Sequence, residues 1–229
     1  MHFTFVGSFR ENDLRPLIEK YIASLPSTSK KFSYRDNKVR PVKGKIDFTV
    51  HKGKEQKSLI LAIYHGEMPY TDALDLKADA ISEILNISII EELREKIQGI
   101  YGGGTQVQFE KLPYPHYTFF LQLPCGPEKV DTLLYAANKE IQDLIKNGPS
   151  KANLEKVKQQ WREKHKVNIK ENSTWLSELE GFNFPGDNPD YFINYEKYVN
   201  ALTQKDVQDA AKLFFSANVI TGILMPEKK

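Results

Sequence analysis

The sequence predicts an α+β fold, a mostly antiparallel sheet with helices packed on one face. Two observations lead there. Strand-like runs come in neighbouring pairs joined by short turns, Phe48 and Val50 with 59–64, then 101–109 with 114–123, and such neighbours pair antiparallel. Helical stretches instead come in segregated runs, which places helices together on one side of a sheet. The 229 residues suffice for one large domain or one domain plus a fragment, and 40% hydrophobic with 27% charged residues is the makeup of a globular protein.

In chain order, residues 3–6 are a strand candidate with a turn at Gly7. Asn12 or Asp13 can cap a helix whose apolar face is Leu14, Leu17, Ile18, Tyr21 and Ile22, and Pro26 ends that unit. Residues 26–45 carry seven basic residues and one acidic residue, Asp36, among Ser, Pro and Gly, the composition of a basic linker rather than of a nucleic-acid arm. A second unit runs from 46 to 229. The segment 52–57 turns between its first two strands, and Leu74, Ala78, Ile81, Leu85, Ile89, Ile90, Leu93 and Ile97 then mark one helical stripe. Tyr117, Phe119, Leu121 and Leu123 share one face of a later strand. Val130, Leu133, Leu134, Ala137, Ile141, Leu144 and Ile145 mark an amphipathic helix closed by Gly148 and Pro149. Ser150 opens a helix through Leu154, Val157 and Trp161, and Trp175 with Leu179 belongs to another. Residues 182–190 read as a loop. Thr203 with Asp206 forms a capping box ahead of Val207, Ala210, Ala211 and Phe214, and 219–225 is the last strand. The first strand and helix, 1–25, look like the edge of a preceding equivalent domain, so the chain is expected to be part of a longer polypeptide.

Several function classes find no support. A net charge of +2 suggests no polyanion partner, and no run of 18 apolar residues offers a membrane span. One cysteine, Cys125, excludes an internal disulfide framework, and with no histidine near it in sequence it reads as inert. His2, His51, His65, His116 and His165 include no pair four apart, so no helix presents two imidazoles to a metal. Gly102, Gly103 and Gly104 lack the lysine and following helix of a phosphate loop; they let a strand bend or a second backbone approach. The seven basic residues between 151 and 170 read as a solvated helix face. Phe182, Phe184, Tyr191, Phe192, Tyr195 and Tyr198 read as core beneath a loop, with a peptide groove as the alternative.

One corner remains. Leu93, Arg94 and Glu95 end a helix, Gly99 stops it, and Tyr101 opens a strand, so a guanidinium and a phenol lie seven positions apart across one turn. This corner resembles that of the pitrilysin/insulinase zinc metallopeptidases, the inverzincins, in whose C-terminal domains a helix ends in Leu-Arg-Glu ahead of a glycine and a tyrosine. The resemblance covers nearly the whole chain. Phe5, Val6, Gly7, Ser8 and Phe9, then the helix to Pro26, resemble the close of the preceding domain. Lys52, Gly53, Lys54 and Glu55 resemble the first turn of the last domain; Leu202, Thr203 and Asp206, through Asn218 and Pro226, resemble its close. The long, four-domain bacterial zinc proteases are the most similar type. One departure is the join itself, which here reads Gln98, Gly99, Ile100, Tyr101, Gly102.

The resemblance implies LuxS/MPP-like metallopeptidase domains arranged in two halves around a chamber. It implies a zinc site, His-x-x-Glu-His plus a distant Glu, in the first domain; that motif is missing from this chain, so zinc is expected in the full-length parent and none here. The implied partners are the N-terminal domains of the same polypeptide and a peptide or unfolded-protein substrate. Arg94 and Tyr101 are implied to contact substrate and transition state across the chamber. A donor aimed where negative charge develops on a scissile carbonyl is worth about 10²–10³ in rate. The implied location is the periplasm or cell envelope. A non-catalytic scaffold homologue and an unrelated α+β binding module are the alternatives.

Overall fold

The computed structural model describes residues 2–28, 33–89, 91–93, 102–183, 189–215 and 218–227. The elements run α1 (Glu11–Tyr21), β1 (Lys45–His51), β2 (Ser58–Glu67), α2 (Asp72–Ile89), β3 (Gly104–Glu110), β4 (His116–Cys125), α3 (Val130–Asn147), α4 (Lys151–Asn168), α5 (Asn172–Asn183), α6 (Pro189–Ile193), α7 (Tyr195–Ala201), α8 (Gln204–Phe214) and β5 (Asn218–Met225). The strands form one sheet in the order β1-β5-β2-β4-β3. Only β1 with β5 is parallel; the other three pairs are antiparallel, as the α+β reading expects.

Alternation in the strands builds the core. Ile60, Ala62 and Tyr64 of β2 and Tyr117, Phe119, Leu121 and Leu123 of β4 are all buried on one face. The apolar stripes of α2 (Ala78, Ile81, Leu85), α3 (Leu133, Ala137, Ile141) and α8 (Val207, Ala211, Phe214) close over that face in a single cluster. Each fully buried Leu, Ile or Phe there contributes about 1.5–3 kcal/mol. Tyr117 brings a polar tip inside, and its hydroxyl donates to the Phe214 carbonyl at 2.9 Å, so its burial leaves no unmet hydrogen bond. On the opposite face of the sheet Phe48, Val50 and Leu224 stay exposed.

The helix ends follow their local chemistry. Gly148 takes φ +72° after α3, and its N–H donates to the Leu144 carbonyl at 3.0 Å. Ser150 accepts from the Asn153 N–H at the start of α4, and Thr203 with Asp206 forms the expected capping box of α8.

Four expectations are corrected. Residues 3–6 form no strand, because none of the five strands pairs with them. The first helix begins at Glu11, ahead of Asn12 and Asp13; Arg10 holds the N-cap with no side-chain cap, while Glu11 and Asp13 set negative charge against the first turn. No residue of α1 is buried, so its apolar face packs into no core here. Residues 52–57 do turn the chain back, but β1 and β2 are not neighbours, since β5 lies between them. That strand carries Val219, Ile220, Ile223, Leu224 and Met225, which suits an interior position with both edges paired. Gly222 makes room there, because a Cβ on it would meet the Phe48 ring at 2.9 Å. Lastly, Phe182 ends within α5, and the stretch expected as a loop resumes as α6 at Pro189; α6 and α7 are short and lack a readable period.

Candidate functional site

Arg94 and Tyr101 lie outside the described residues. The scaffold on either side is described. Leu93 is fully buried at one end and Gly102 opens the other. Asn86 of α2 ties the two sides together. Its Oδ1 accepts the Thr105 N–H at 2.6 Å and its Nδ2 donates to the Thr105 carbonyl at 3.0 Å. The Thr105 hydroxyl adds a donation to the Ser82 carbonyl at 2.9 Å and lies 3.2 Å from the Ser82 hydroxyl. With the Thr105 hydroxyl also 3.2 Å from the Asn86 amide oxygen, helix and strand are joined by five polar contacts about one residue, and the segment bearing Arg94 and Tyr101 runs between them in sequence.

The glycines explain how the strand can start there. Gly103 has φ +92° and sits so close to β4 that a Cβ would collide with the Gln122 carbonyl oxygen. Gly104 has φ +146°, and a Cβ on it would strike the Asn86 amide oxygen. Of the two sequence readings, close backbone approach is therefore met at Gly103. Beside this point opens a groove of about 610 Å³, lined by Asn86, Gly104, Gln106, Gln108, Phe120 and Gln122. Its polar lining is uncharged.

Part of the basic segment is held against the sheet end. Arg40 pairs with Asp36 (2.7 Å) and Glu67 (3.0 Å), and its guanidinium carbon lies 3.3 Å from the centroid of the Tyr114 ring. Tyr114 in turn stacks on His116 at 4.3 Å. Hydrogen bonds from Arg40 and the Lys38 N–H hold the Asp36 carboxyl down at about 2. A small cavity of about 30 Å³ beneath includes His65, 4% exposed, whose Nε2 has no hydrogen-bond partner among the described residues. Sequence reading passed over Arg40, although Asp36 is the one acid of the stretch and stands four residues before it.

On another face α2 turns Asp75, Asp79 and Glu83 toward the aromatics of α6 and α7. Tyr70 donates to Asp75 at 3.0 Å. Asp79 keeps contact with solvent, yet the protein packed around it, then the charges of Asp75 and Glu83, push its carboxyl up to about 7, with Lys164 opposing. Tyr191 packs edge-on with Tyr195, Phe192 packs edge-on with Trp175 and His165, and His165 lies tilted against Tyr195, a satellite core rather than an open groove. Phe184 lies outside the described residues.

The other candidates are disposed of by burial. Cys125 is 1% exposed, and burial followed by the Glu128 charge raises its thiol, the environment of an inert cysteine. Lys151, Lys156, Lys164, Lys166 and Lys170 are exposed, whereas Lys158 is buried and donates to the Asn200 carbonyl at 3.2 Å. Among the described residues no three His, Cys, Asp or Glu side chains come together as metal ligands. The donors of the described residues do not fit a zinc ion. Among the same residues no helix is long and apolar enough to cross a membrane.

Comparison with known proteins agrees with this frame. The chain is 21% identical to the probable zinc protease PqqL of Escherichia coli over 98% of its own length and 24% of that protein's. It is 24% identical to the protein of the same name from Haemophilus influenzae, over 91% and 22% of the two lengths. The chain thus spans about a quarter of these relatives. Its fold superimposes on the crystal structure of the periplasmic protease PqqL from Escherichia coli with a TM-score of 0.82 at 20% identity, covering 96% of this chain and 25% of that one. The family model described as the peptidase M16 inactive domain matches residues 1–161, more than half of the chain, and the chain accordingly belongs to the M16 peptidases, the pitrilysin/insulinase family its Arg94–Tyr101 corner resembles.

Proposed function

We propose that this chain is the C-terminal, non-zinc-binding part of a zinc-dependent endopeptidase that acts on peptides or unfolded proteins. Residues 1–25 close the preceding homologous domain, 26–45 link it on, and 46–229 form the last domain. Arg94 and Tyr101 supply substrate and transition-state contacts to an active site that the N-terminal domains of the same polypeptide complete. Zinc is held by those domains. By analogy with the Escherichia coli relative, whose structure is described as periplasmic, the parent works in the periplasm.

The observation that carries this reading is the Asn86–Thr105 tie. It ties the described helix α2 to the described strand β3, the elements between which residues 94–101 run in sequence. Donors held in place before the reaction meet developing negative charge with little reorganisation, the condition under which they count most. Family membership supplies the peptide as the partner.

Zinc content and peptide hydrolysis test it, measured on the full polypeptide and on residues 1–229 alone. The full polypeptide is expected to hold zinc and cleave; the 229-residue chain is expected to do neither. A full polypeptide without zinc and without hydrolysis would replace the proposal with the scaffold reading.

A further inference from the structure

We propose that residues 36–44 form a releasable strap, latched by Arg40, that opens by turning about Gly44 and uncovers His65 as it does so. The device stands whether or not the parent is a peptidase. His65 lies on the outer face of the sheet, because Ile60, Ala62 and Tyr64 of the same strand alternate onto the core face. Leu59, Leu61 and Ile63 share that outer face and are only half-buried, yet His65 is buried. The strap accounts for the difference. Arg40, Pro41 and Lys43 wall the 30 Å³ cavity together with His65, Gly66 and Glu67.

The two ends of the strap are held differently. At the Gly44 end the N–H donates to the Asn218 Oδ1 at 2.8 Å and the carbonyl accepts the Val219 N–H at 3.0 Å. The Asn218 Nδ2 donates in turn to the His65 carbonyl at 3.2 Å, so this end is built into β5 and β2. At the other end Arg40 grips the sheet through Glu67 and the Tyr114 ring, and grips Asp36 within the strap itself. Apolar burial adds little, because Val39 and Val42 are exposed. The closed strap also carries two local costs. Lys38 has φ +59°, the one non-glycine residue with positive φ among the described residues, in a region that side chains disfavour. Its N–H donates at 2.8 Å to Asp36, the same carboxylate that Arg40 grips. The second cost is the His65 Nε2, buried with no hydrogen-bond partner among the described residues, which water would satisfy on opening. Release of Arg40 therefore frees Asp36, lets Lys38 relax and hydrates His65 in one motion. Gly44, at φ +94° with nothing within 4 Å of a would-be Cβ, suits the pivot. One principal latch set against two local costs makes a two-position element. Closed, it fixes the path of the chain from residues 1–25 into β1; open, it leaves a free link.

The test is imidazole labelling of the 229-residue chain by diethyl pyrocarbonate, read residue by residue by mass spectrometry. Each rate is divided by that of the same residue in the urea-unfolded chain. Cys125, buried in the core, is followed with N-ethylmaleimide and reports global unfolding, while exposed His51 reports the activity of the imidazole reagent. In the wild type His65 is expected to be protected about tenfold less than Cys125, or less still, because a local opening needs no global unfolding. Arg40→Ala should speed labelling of His65 by about a further tenfold, the scale of a lost charge-assisted fork, with Cys125 and His51 unchanged. Protection of His65 as strong as that of Cys125 in the wild type would overturn the proposal, and this comparison needs no variant to fold. An Arg40→Ala protein in which His65 keeps its wild-type rate would also overturn it, as would one in which His65 and Cys125 speed up by the same factor.

Discussion

Asn86 and Thr105 are joined as two strand residues would be: the Asn86 amide oxygen accepts the Thr105 N–H at 2.6 Å and its amide nitrogen donates to the Thr105 carbonyl at 3.0 Å. A helix side chain thereby performs the work of a backbone. Asn86→Ala leaves two part-buried backbone groups unmet, at a cost of about 1–3 kcal/mol. For a chain of this size each kcal/mol lowers Tm by about 2–4 °C. Asn86→Asp keeps the acceptor for the N–H but turns a carboxylate oxygen toward the Thr105 carbonyl, so it too should lose stability in a thermal melt at pH 7.

Gly103 sets how close β3 can start to β4. Its φ of +92° and the Gln122 carbonyl oxygen at the would-be Cβ position exclude any side chain. Gly103→Ala combines backbone strain of about 1–3 kcal/mol with a collision against main chain that cannot rotate away. Destabilisation well beyond that of Gly102→Ala is expected in parallel urea titrations, because a Cβ at Gly102 meets nothing within 4 Å.

The fold class was legible because its strongest signals are periodic. The alternation of Tyr117, Phe119, Leu121 and Leu123 and the stripe of α3 both appear as buried faces. Strand neighbours were not legible. A turn at 52–57 says that the chain reverses, and nothing local says that a strand from 170 residues later enters between the two arms. The one available cue was the apolar weight of β5, carried by Val219, Ile220, Ile223, Leu224 and Met225. Similarly, Asn86 stands among apolar residues of α2 at helical spacing, and a polar residue there signals a partner without naming it. Arg94 and Tyr101 were found by resemblance, not by physics, since an arginine in a charged helix end is ordinarily a surface residue.

Arg40 holds the segment 33–44 to the sheet end through a fork and a ring stack, geometry that lysine does not reproduce. Arg40→Ala and Arg40→Lys are both expected to speed tryptic cleavage within 33–44, with lysine no better than alanine. The Asp36 carboxyl sits near 2, below its usual value, so its contribution is complete above about pH 4 and is lost as pH falls through about 2. Cleavage rates corrected for trypsin's own pH dependence should therefore show no loosening of the strap down to about pH 4.

Asp79 gives the opposite sign. Its carboxyl is raised from 3.8 to about 7. Between those values the folded chain keeps a proton that the unfolded chain has released, so stability falls as pH rises through this window and is level above it. Asp79→Asn should flatten that slope and raise Tm at pH 8 relative to wild type. Solvent contact screens the site, which keeps the gain below about 1 kcal/mol. Melts at pH 5 and pH 8 for both proteins check it.

Hydrolysis of an unstructured peptide by the full-length polypeptide, wild type against Arg94→Ala, with zinc content determined in both, bears most directly on the proposal that this chain completes an active site. A fall in kcat/KM of about 10²–10³ with zinc unchanged is expected. An unchanged kcat/KM in an active, zinc-loaded Arg94→Ala protein would contradict the account and return Arg94 to the surface of a structural domain.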